Sequence, residues 1–264
     1  MSRLKSDLRT RARTIVSVVI GTVIVVAVNA CSRSSDVQNP AVSSQPGASA
    51  TASPVPDAIT WNDIAKKYDE VHTYQCLYEK EERAISNGER QTIRISFRKP
   101  FDVRLDWLNE SGKVDQTAVY RQGFNDGKVL ARRSGLLGAL AGIMRLNPTD
   151  KLALSDSRHP ITEMGIGKII ERAREDAAND QIATNFSAGD PLDGRATYRF
   201  EFAGKNSQPV GGLAEARKAL IWVDRELKLP IKLELYDEAN ALLERHYFKD
   251  LRLNLNLPDS TFTL

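Results

Sequence analysis

The sequence predicts one α+β domain at residues 59–264: a single curved antiparallel sheet that stays open as a half-barrel, covered by two or three helices. Three observations indicate this class. Apolar and polar residues alternate with a period of two through most of the stretch. Turn dipeptides such as Asn87-Gly88 and Asp193-Gly194 separate the alternating runs. Helical spacing occurs in only two clear segments, and neither a repeat nor a second domain boundary interrupts the pattern.

Residues 1–30 read as a targeting segment rather than as part of this fold. The apolar run from Ile15 to Ala30 is too short for a comfortable membrane span, which needs roughly 20 apolar residues. It is preceded by basic residues, as in a secretory signal: Arg3, Lys5, Arg9, Arg11 and Arg13. Val28-Asn29-Ala30-Cys31 resembles the bacterial lipobox, although Asn29 is an unusual occupant, and the resemblance implies acylation of Cys31. An ordinary signal peptide, or an uncleaved anchor that ends in Cys, is the alternative.

Residues 31–58 are rich in Ser, Ala, Pro and Gly and nearly free of large apolar side chains. Such a composition cannot bury enough surface to offset chain entropy, so a disordered tether is expected. Ser32 directly after the lipidated Cys implies the outer membrane, under the sorting rule of enterobacterial lipoproteins. The expected location is therefore the periplasmic face of the outer membrane, and the expected state is a monomer.

Charge and cysteine content exclude several classes of function. The whole chain has 37 basic and 34 acidic side chains, and removal of residues 1–30 leaves 32 against 33. The excess of positive charge belongs to the leader, so nothing indicates nucleic-acid binding. If Cys31 is acylated, Cys76 has no disulfide partner. Its place in a strand pattern favours a small buried core residue over a catalytic nucleophile.

Two segments have helical spacing. Trp61 to about His72 places apolar residues on one face, with Thr60 as a plausible N-cap. Glu163 to about Ala178 forms a second amphipathic helix, for which Thr162 is the expected cap.

The strands are predicted in antiparallel pairs on both sides of the second helix. The runs are Tyr74 to Ala84, Arg90 to Arg98, Val103 to Trp107, Val114 to Arg121, Lys128 to Arg133, Ala183 to Ser187, Ala196 to Ala203, Ala216 to Val223, Ile231 to Tyr236 and Leu243 to Asn256.

Between the two halves lies a Gly-interrupted apolar segment, Gly135 to Met144. A short helix or buried connection under the sheet is one interpretation. The other is an apolar flap that covers a cavity or touches lipid, because exposed apolar patches mark contact sites. The candidate flap residues are Leu136, Leu137, Leu140 and Ile143.

Features of enzymes are sparse. The three histidines, His72, His159 and His246, show no spacing typical of a metal site, and no phosphate-binding glycine loop is present. Ser155 to His159 is too local to assemble a hydrolase triad, and no Gly-x-Ser-x-Gly elbow accompanies it. His159 is interpreted as a structural hydrogen-bonding residue. Glu79, Glu81 and Glu82 are expected on an exposed charged face. No enzyme activity, cofactor or metal is predicted.

Parts of the sequence resemble two known protein families. The segment from Trp222 to Asp237, with Phe262 near the end, resembles the C-terminal half of lipoprotein-carrier (LolA/LolB-like) proteins. More closely, Tyr74 to Glu81, Arg98 to Phe101 and Arg158 to Gly165 resemble an uncharacterised bacterial envelope family of unknown function, DUF1571. The first resemblance implies an unclosed half-barrel whose hollow holds acyl chains. The second implies no activity.

A large curved sheet must fill its apolar face with helices or with a ligand. The expected lining residues are Ile95, Phe97, Leu105, Trp107, Phe200, Trp222 and Leu235. The function hypothesis is a lipid-anchored binding protein that holds an acyl chain, lipoprotein or other amphiphile. The alternative is a structural or regulatory envelope protein that binds protein partners without lipid cargo.

Overall fold

The computed structural model describes residues 58–85, 88–135, 138, 140 and 142–264. Its centre is one antiparallel sheet of eleven strands, and the predicted α+β class is confirmed. The strands are β1 (Thr73–Glu82), β2 (Gln91–Arg98), β3 (Asp102–Leu108), β4 (Val114–Arg121), β5 (Val129–Arg133), β6 (Met144–Leu146), β7 (Ile182–Leu192), β8 (Arg195–Gly204), β9 (Lys218–Asp224), β10 (Pro230–Tyr236) and β11 (Leu242–Leu253).

The strand order is β6-β5-β4-β3-β2-β1-β11-β10-β9-β8-β7, so β6 and β7 are the two edges and the sheet stays open within the described residues. Strands β1 to β6 follow one another as a meander, and β7 to β11 form a second meander that returns to the middle. The two halves join where β1 pairs with β11, with Tyr78 opposite Phe248 and Glu82 opposite Glu244. This pairing brings together side chains from the two ends of the domain.

Two α-helices lie in the described part of the chain, α1 (Trp61–Asp69) and α2 (Ile166–Ala177). Helix α1 starts as predicted, because Thr60 and Asp63 form a reciprocal capping box. The expected cap at Thr162 is wrong: Ile161–Glu163 forms a separate 3-10 turn, and Gly165 precedes the first residue of α2. Gly165 has a φ of 96°, which glycine adopts readily. No described helix is long and apolar enough to span a bilayer.

The two faces of the sheet differ in chemistry. The inner face carries the core together with α1 and α2, including Ile64, Ile95, Val103, Ile166 and Val223. The outer face is charged: Arg245 donates to both Glu81 and Glu234, and Lys249 lies 3.1 Å from Glu79. Alternation along each strand produces this division, since successive side chains point to opposite faces.

Several predicted boundaries shift. Strand β7 extends to Leu192, beyond the predicted end at Ser187. A short edge strand that was not predicted, Met144–Leu146, begins at the last residue of the segment expected to be helix or flap. Asn87 of the predicted Asn87-Gly88 turn lies outside the described residues. Residues 1–57, with the expected signal peptide, Cys31 and tether, also lie outside them.

Candidate ligand-binding cavity

The inner face of the sheet carries a cavity of about 540 Å³. Its walls come from strands β1 to β6 and β9 to β11, from α2, and from the loop that connects β6 to α2. A volume of about 300–1,000 Å³ is typical of small-molecule sites. Most of the lining is apolar and includes Ile93, Leu105, Trp107, Ala118, Val129, Ala131, Met144, Leu146, Ile169, Leu233, Leu235 and Phe248.

The residues expected to line the hollow fall into three groups. Leu105, Trp107 and Leu235 line the cavity. Ile95 and Phe97 lie elsewhere in the core, and Phe200 packs with its ring centroid 4.8 Å from that of Trp61. Ile221 and Val223, on either side of Trp222 in β9, point into the core, so Trp222 points away from it. The Lys232 ammonium lies 4.3 Å from the centroid of the Trp222 ring. Trp222 therefore lies on the outer face.

The candidate flap is described only in part. Leu140 and Ile143 are 78% and 49% exposed, whereas Leu136 and Leu137 lie outside the described residues. Leu152, in the loop after β6, is also exposed and borders the cavity. Exposed large apolar side chains thus lie beside the cavity.

One end of the cavity is polar, and Glu244 is its centre. This side chain is fully buried, and its carboxylate accepts hydrogen bonds at 3.1 Å from Nε2 of His159 and from Nε2 of His246. Burial alone would raise the pKa of Glu244. The hydrogen bonds from His159 and His246, with their electrostatic attraction for the carboxylate, outweigh burial, so the pKa of Glu244 lies well below the ordinary value of 4.5.

Lys80 and Glu82 form a second buried pair on the neighbouring strand. Lys80 Nζ lies 3.4 Å from Glu82 Oε1 and donates to the backbone carbonyl of Asp156. Burial lowers the pKa of Lys80, and Glu82 opposes that effect only in part. The Glu82 carboxylate accepts from Ser157 Oγ at 3.2 Å and from the Arg158 backbone N–H at 2.8 Å. Glu82 and Glu244 therefore fix the same loop, residues 157–159, to the sheet.

Tyr78 extends the polar end towards the core. Its hydroxyl lies 2.5 Å from Nδ1 of His246, whose other ring nitrogen is next to Glu244. With the proton on Nε2, His246 donates to Glu244 and accepts from Tyr78, which satisfies all three groups. Burial raises the pKa of Tyr78 well above its ordinary value. Tyr78, His246 and Glu244 thus form one continuous chain of hydrogen bonds. The described residues contain no cluster suited to a metal ion.

Sequence reasoning missed this polar end. Glu82 was expected on an exposed face and is buried; that expectation is wrong because Glu82 shares the inner-face parity of Tyr74, Cys76 and Tyr78 in β1. Lys80 has the same parity, and Glu244 and His246 share theirs with Phe248 in β11. The period of two could have identified these positions. It could not have shown that β1 and β11 are neighbours.

Among solved structures, the Pseudomonas aeruginosa MucA/MucB complex is similar at 18% identity and a TM-score of 0.48, over 77% of this chain and 59% of that one. A putative outer membrane lipoprotein-sorting protein domain from Vibrio parahaemolyticus is similar at 12% identity and a TM-score of 0.37, over 76% and 94% of the two chains. A LolA superfamily protein from Nitrosomonas europaea is similar at 13% identity and a TM-score of 0.30, over 78% of this chain and 99% of that one. All three similarities are distant.

The present chain spans 58–61% of the length of the MucB chains it matches. No curated protein matches the chain significantly. One family model does match, that of a protein of unknown function, DUF1571, over residues 71–264. This match covers most of the folded domain and confirms the family resemblance seen in the sequence. The chain belongs to the DUF1571 family.

Proposed function

We propose that this protein binds an amphiphile in the bacterial envelope, with the hydrocarbon tail in the cavity on the inner face of the sheet. An acyl chain or an acylated protein is the class of ligand that fits. The observation that carries the proposal is the unfilled volume of about 540 Å³ beneath an apolar wall. An apolar hollow of this size gains free energy when hydrocarbon replaces water, at about 25 cal/mol per Å² of apolar surface buried.

The arrangement of the walls supports a tail rather than a rigid polar ligand. Aliphatic side chains from β2, β5 and β10, such as Ile93, Val129 and Leu233, face the cavity, and Ile169 of α2 contributes from the opposite side. The hydrogen bonds of Glu82, Glu244 and His246 at the β1–β11 end are made to other residues of the protein. A hydrocarbon segment therefore meets apolar surface along most of its length.

Native mass spectrometry of the full chain purified from a bacterial host tests this function. Binding predicts an adduct with the mass of a lipid or acylated molecule, which disappears after extraction with organic solvent and refolding. A neutral hydrophobic dye should then bind to the emptied protein. A protein that carries no adduct and also fails to bind the dye would not be an amphiphile-binding protein.

We also propose that Cys31 is acylated and holds the domain at the periplasmic face of the outer membrane, with residues 31–58 as a tether. The lipobox-like sequence and the small polar composition of those residues support this anchor. Palmitate labelling of the wild type and of Cys31→Ala tests it. Equal labelling of both proteins would refute acylation at Cys31, independently of the cavity.

A second candidate function is the binding of a protein partner at the edge of the sheet. Strand β7 has eleven residues and pairs only with β8 in the described part of the chain, so one side of its backbone is free. A free edge can accept an additional strand from another chain. Cross-linking in cells from positions along β7 would recover such a partner, and the cavity would then carry no cargo.

A further inference from the structure

One row of side chains crosses the inner face of the sheet through the cavity. Strand register places its members opposite one another on β5, β4, β3, β2, β1 and β11. They are Arg133, Gln116, Trp107, Ile93, Tyr78 and Phe248, and all of them line the cavity. Neighbouring strands lie about 4.8 Å apart, so the row spans about 24 Å along the curved sheet. It therefore joins the polar end at β1 and β11 to the opposite wall at β5.

Arg133 and Gln116 form the end of this row that is open to solvent. Arg133 is exposed although it lines the cavity, so its side chain lies where the cavity meets solvent. The next members, Trp107 and Ile93, present apolar surface, and Ile93 is buried. The row thus changes from charged to apolar across neighbouring strands, which is the pattern that an amphiphile has along its own length.

The nitrogen atoms at this end are hydrogen-bond donors that lack acceptors. Nε of Arg133 donates to Oε1 of Gln116 at 3.1 Å, which fixes the orientation of the Gln116 amide. The two terminal nitrogens of Arg133 and Nε2 of Gln116 have no acceptor among the described residues. These groups can only donate, and a guanidinium forms paired hydrogen bonds with the two oxygens of a carboxylate or a phosphate.

No described carboxylate pairs with Arg133. The cavity-lining residues of the two strands next to β5 include no acid: they are Gln116, Ala118, Met144 and Leu146. The lining carboxylates belong to β1, β11, α2 and the loop before α2. Among them, the unpaired Asp156 lies at the other end, where its backbone carbonyl accepts from Lys80. The sequence that follows Arg133, from Ser134 to Ile143, also contains no acidic residue.

We infer that Arg133, held by Gln116, binds an anionic headgroup of the ligand, a carboxylate or a phosphate, while the hydrocarbon tail lies along Trp107 and Ile93. This inference rests on the proposed function and names the headgroup of its ligand. Because Arg133 is exposed to solvent, which weakens an ion pair, its contribution to affinity is about threefold to tenfold.

The experiment is competition against a neutral hydrophobic dye bound to the delipidated full chain, at neutral pH and below the critical micelle concentration of each competitor. The competitors share one chain length: laurate carries a carboxylate, dodecyl phosphate carries a phosphate, and monolauroylglycerol is neutral. In Arg133→Gln, the concentration of laurate or of dodecyl phosphate that displaces the dye should rise about threefold to tenfold, whereas that of monolauroylglycerol should change less than about twofold. An equal rise for the neutral competitor, or no rise for either anion, would overturn the inference and leave the proposed function standing. Failure of the dye to bind to the wild type would instead refute the proposed function.

Arg132→Gln is the matched control. Arg132 precedes Arg133 on β5 and is also exposed, but it points to the outer face, opposite Thr117. The substitution removes the same charge from the chain and none from the cavity wall, so competition by laurate should change less than about twofold. Equal losses in Arg132→Gln and Arg133→Gln would show that overall charge attracts the anion, and would overturn the assignment of Arg133.

Discussion

Nε2 of His159 lies 3.1 Å from Oε2 of Glu244, so the loop that borders the cavity is hydrogen-bonded to a buried carboxylate in the middle of the sheet. The same loop reaches the neighbouring strand through Glu82, which accepts from Ser157 and from the Arg158 backbone. The cavity keeps its polar end because these two carboxylates hold the loop in place. Substitution of Glu82 or Glu244 should therefore lower the stability of the domain more than substitution of a carboxylate on the outer face.

Glu244→Gln should lower the free energy of unfolding by about 3 kcal/mol, because the substitution removes the charge that two histidines and Arg158 face in a buried site. Urea denaturation followed by tryptophan fluorescence measures this change. Glu81→Gln is the matched control: Glu81 lies on the outer face, paired with Arg90 and Arg245, and should cost less than about 1 kcal/mol. Similar losses for both variants would contradict the special role of Glu244.

Stability should depend on acid through the same carboxyl group. Because its pKa is lower in the folded state than in the unfolded chain, the contribution of Glu244 is complete above its ordinary value of 4.5 and is lost as the pH falls below it. The stability difference between wild type and Glu244→Gln should therefore shrink as the pH falls from about 5 to about 2. Denaturation curves across this range provide the measurement. A difference that stays constant would show that Glu244 does not titrate as described.

The thiol of Cys76 should be unreactive in the native protein. Cys76 is buried on β1, and burial raises the pKa of its thiol well above the ordinary value, so little thiolate forms at neutral pH. In the Cys31→Ala variant, iodoacetamide should label no cysteine under native conditions and label Cys76 fully in guanidinium chloride. Rapid native labelling would mean that β1 is accessible to solvent.

Gly165→Ala should destabilise the protein for two separate reasons. The positive φ of 96° strains any other residue, and an added Cβ would lie 2.7 Å from the hydroxyl of Tyr74. Gly112→Ala is the control for strain alone, since Gly112 has a φ of 74° and open space around its Cβ position. We expect about 1 kcal/mol at Gly112 and about 1–3 kcal/mol more at Gly165.

A double-mutant cycle isolates the steric part of that loss. In a Tyr74→Phe background, Gly165→Ala should cost little more than Gly112→Ala, because the clashing hydroxyl is gone. Urea midpoints for the four proteins measure the cycle. Additive effects at Gly165 and Tyr74 would mean that the contact does not limit this position.

Filling the cavity should block ligand binding without unfolding the domain. Ala131 is buried in the cavity wall on β5, so the ring of Ala131→Phe enters empty volume. Affinity for a neutral hydrophobic dye should fall at least about tenfold, while stability changes by less than about 1.5 kcal/mol. Leu130→Phe, next along β5 on the opposite face, should leave dye binding unchanged. Retained affinity in Ala131→Phe would place the dye elsewhere.

Much of the fold is readable from local pattern. The alternation in Ile93 to Phe97 and the helical spacing from Trp61 predict elements that the structure confirms, because side-chain direction within one element depends only on its own backbone period. The start of α2 does not follow from its local pattern. Gly165 precedes α2 instead of Thr162 because Ile161–Glu163 forms its own turn.

The sequence by itself determined the class of fold, the open sheet and the alternation of faces within strands such as β2, and it carries the segment that predicts an anchor. Only the tertiary structure decided that the described residues leave a cavity of about 540 Å³, that Trp222 lies on the outer face and that a buried polar network lies at one end of this cavity. The physical reason is distance along the chain: Tyr78 and His246 are 168 residues apart, and their hydrogen bond exists because β1 and β11 pair in one register. Local periodicity specifies a face, but it does not specify a neighbour.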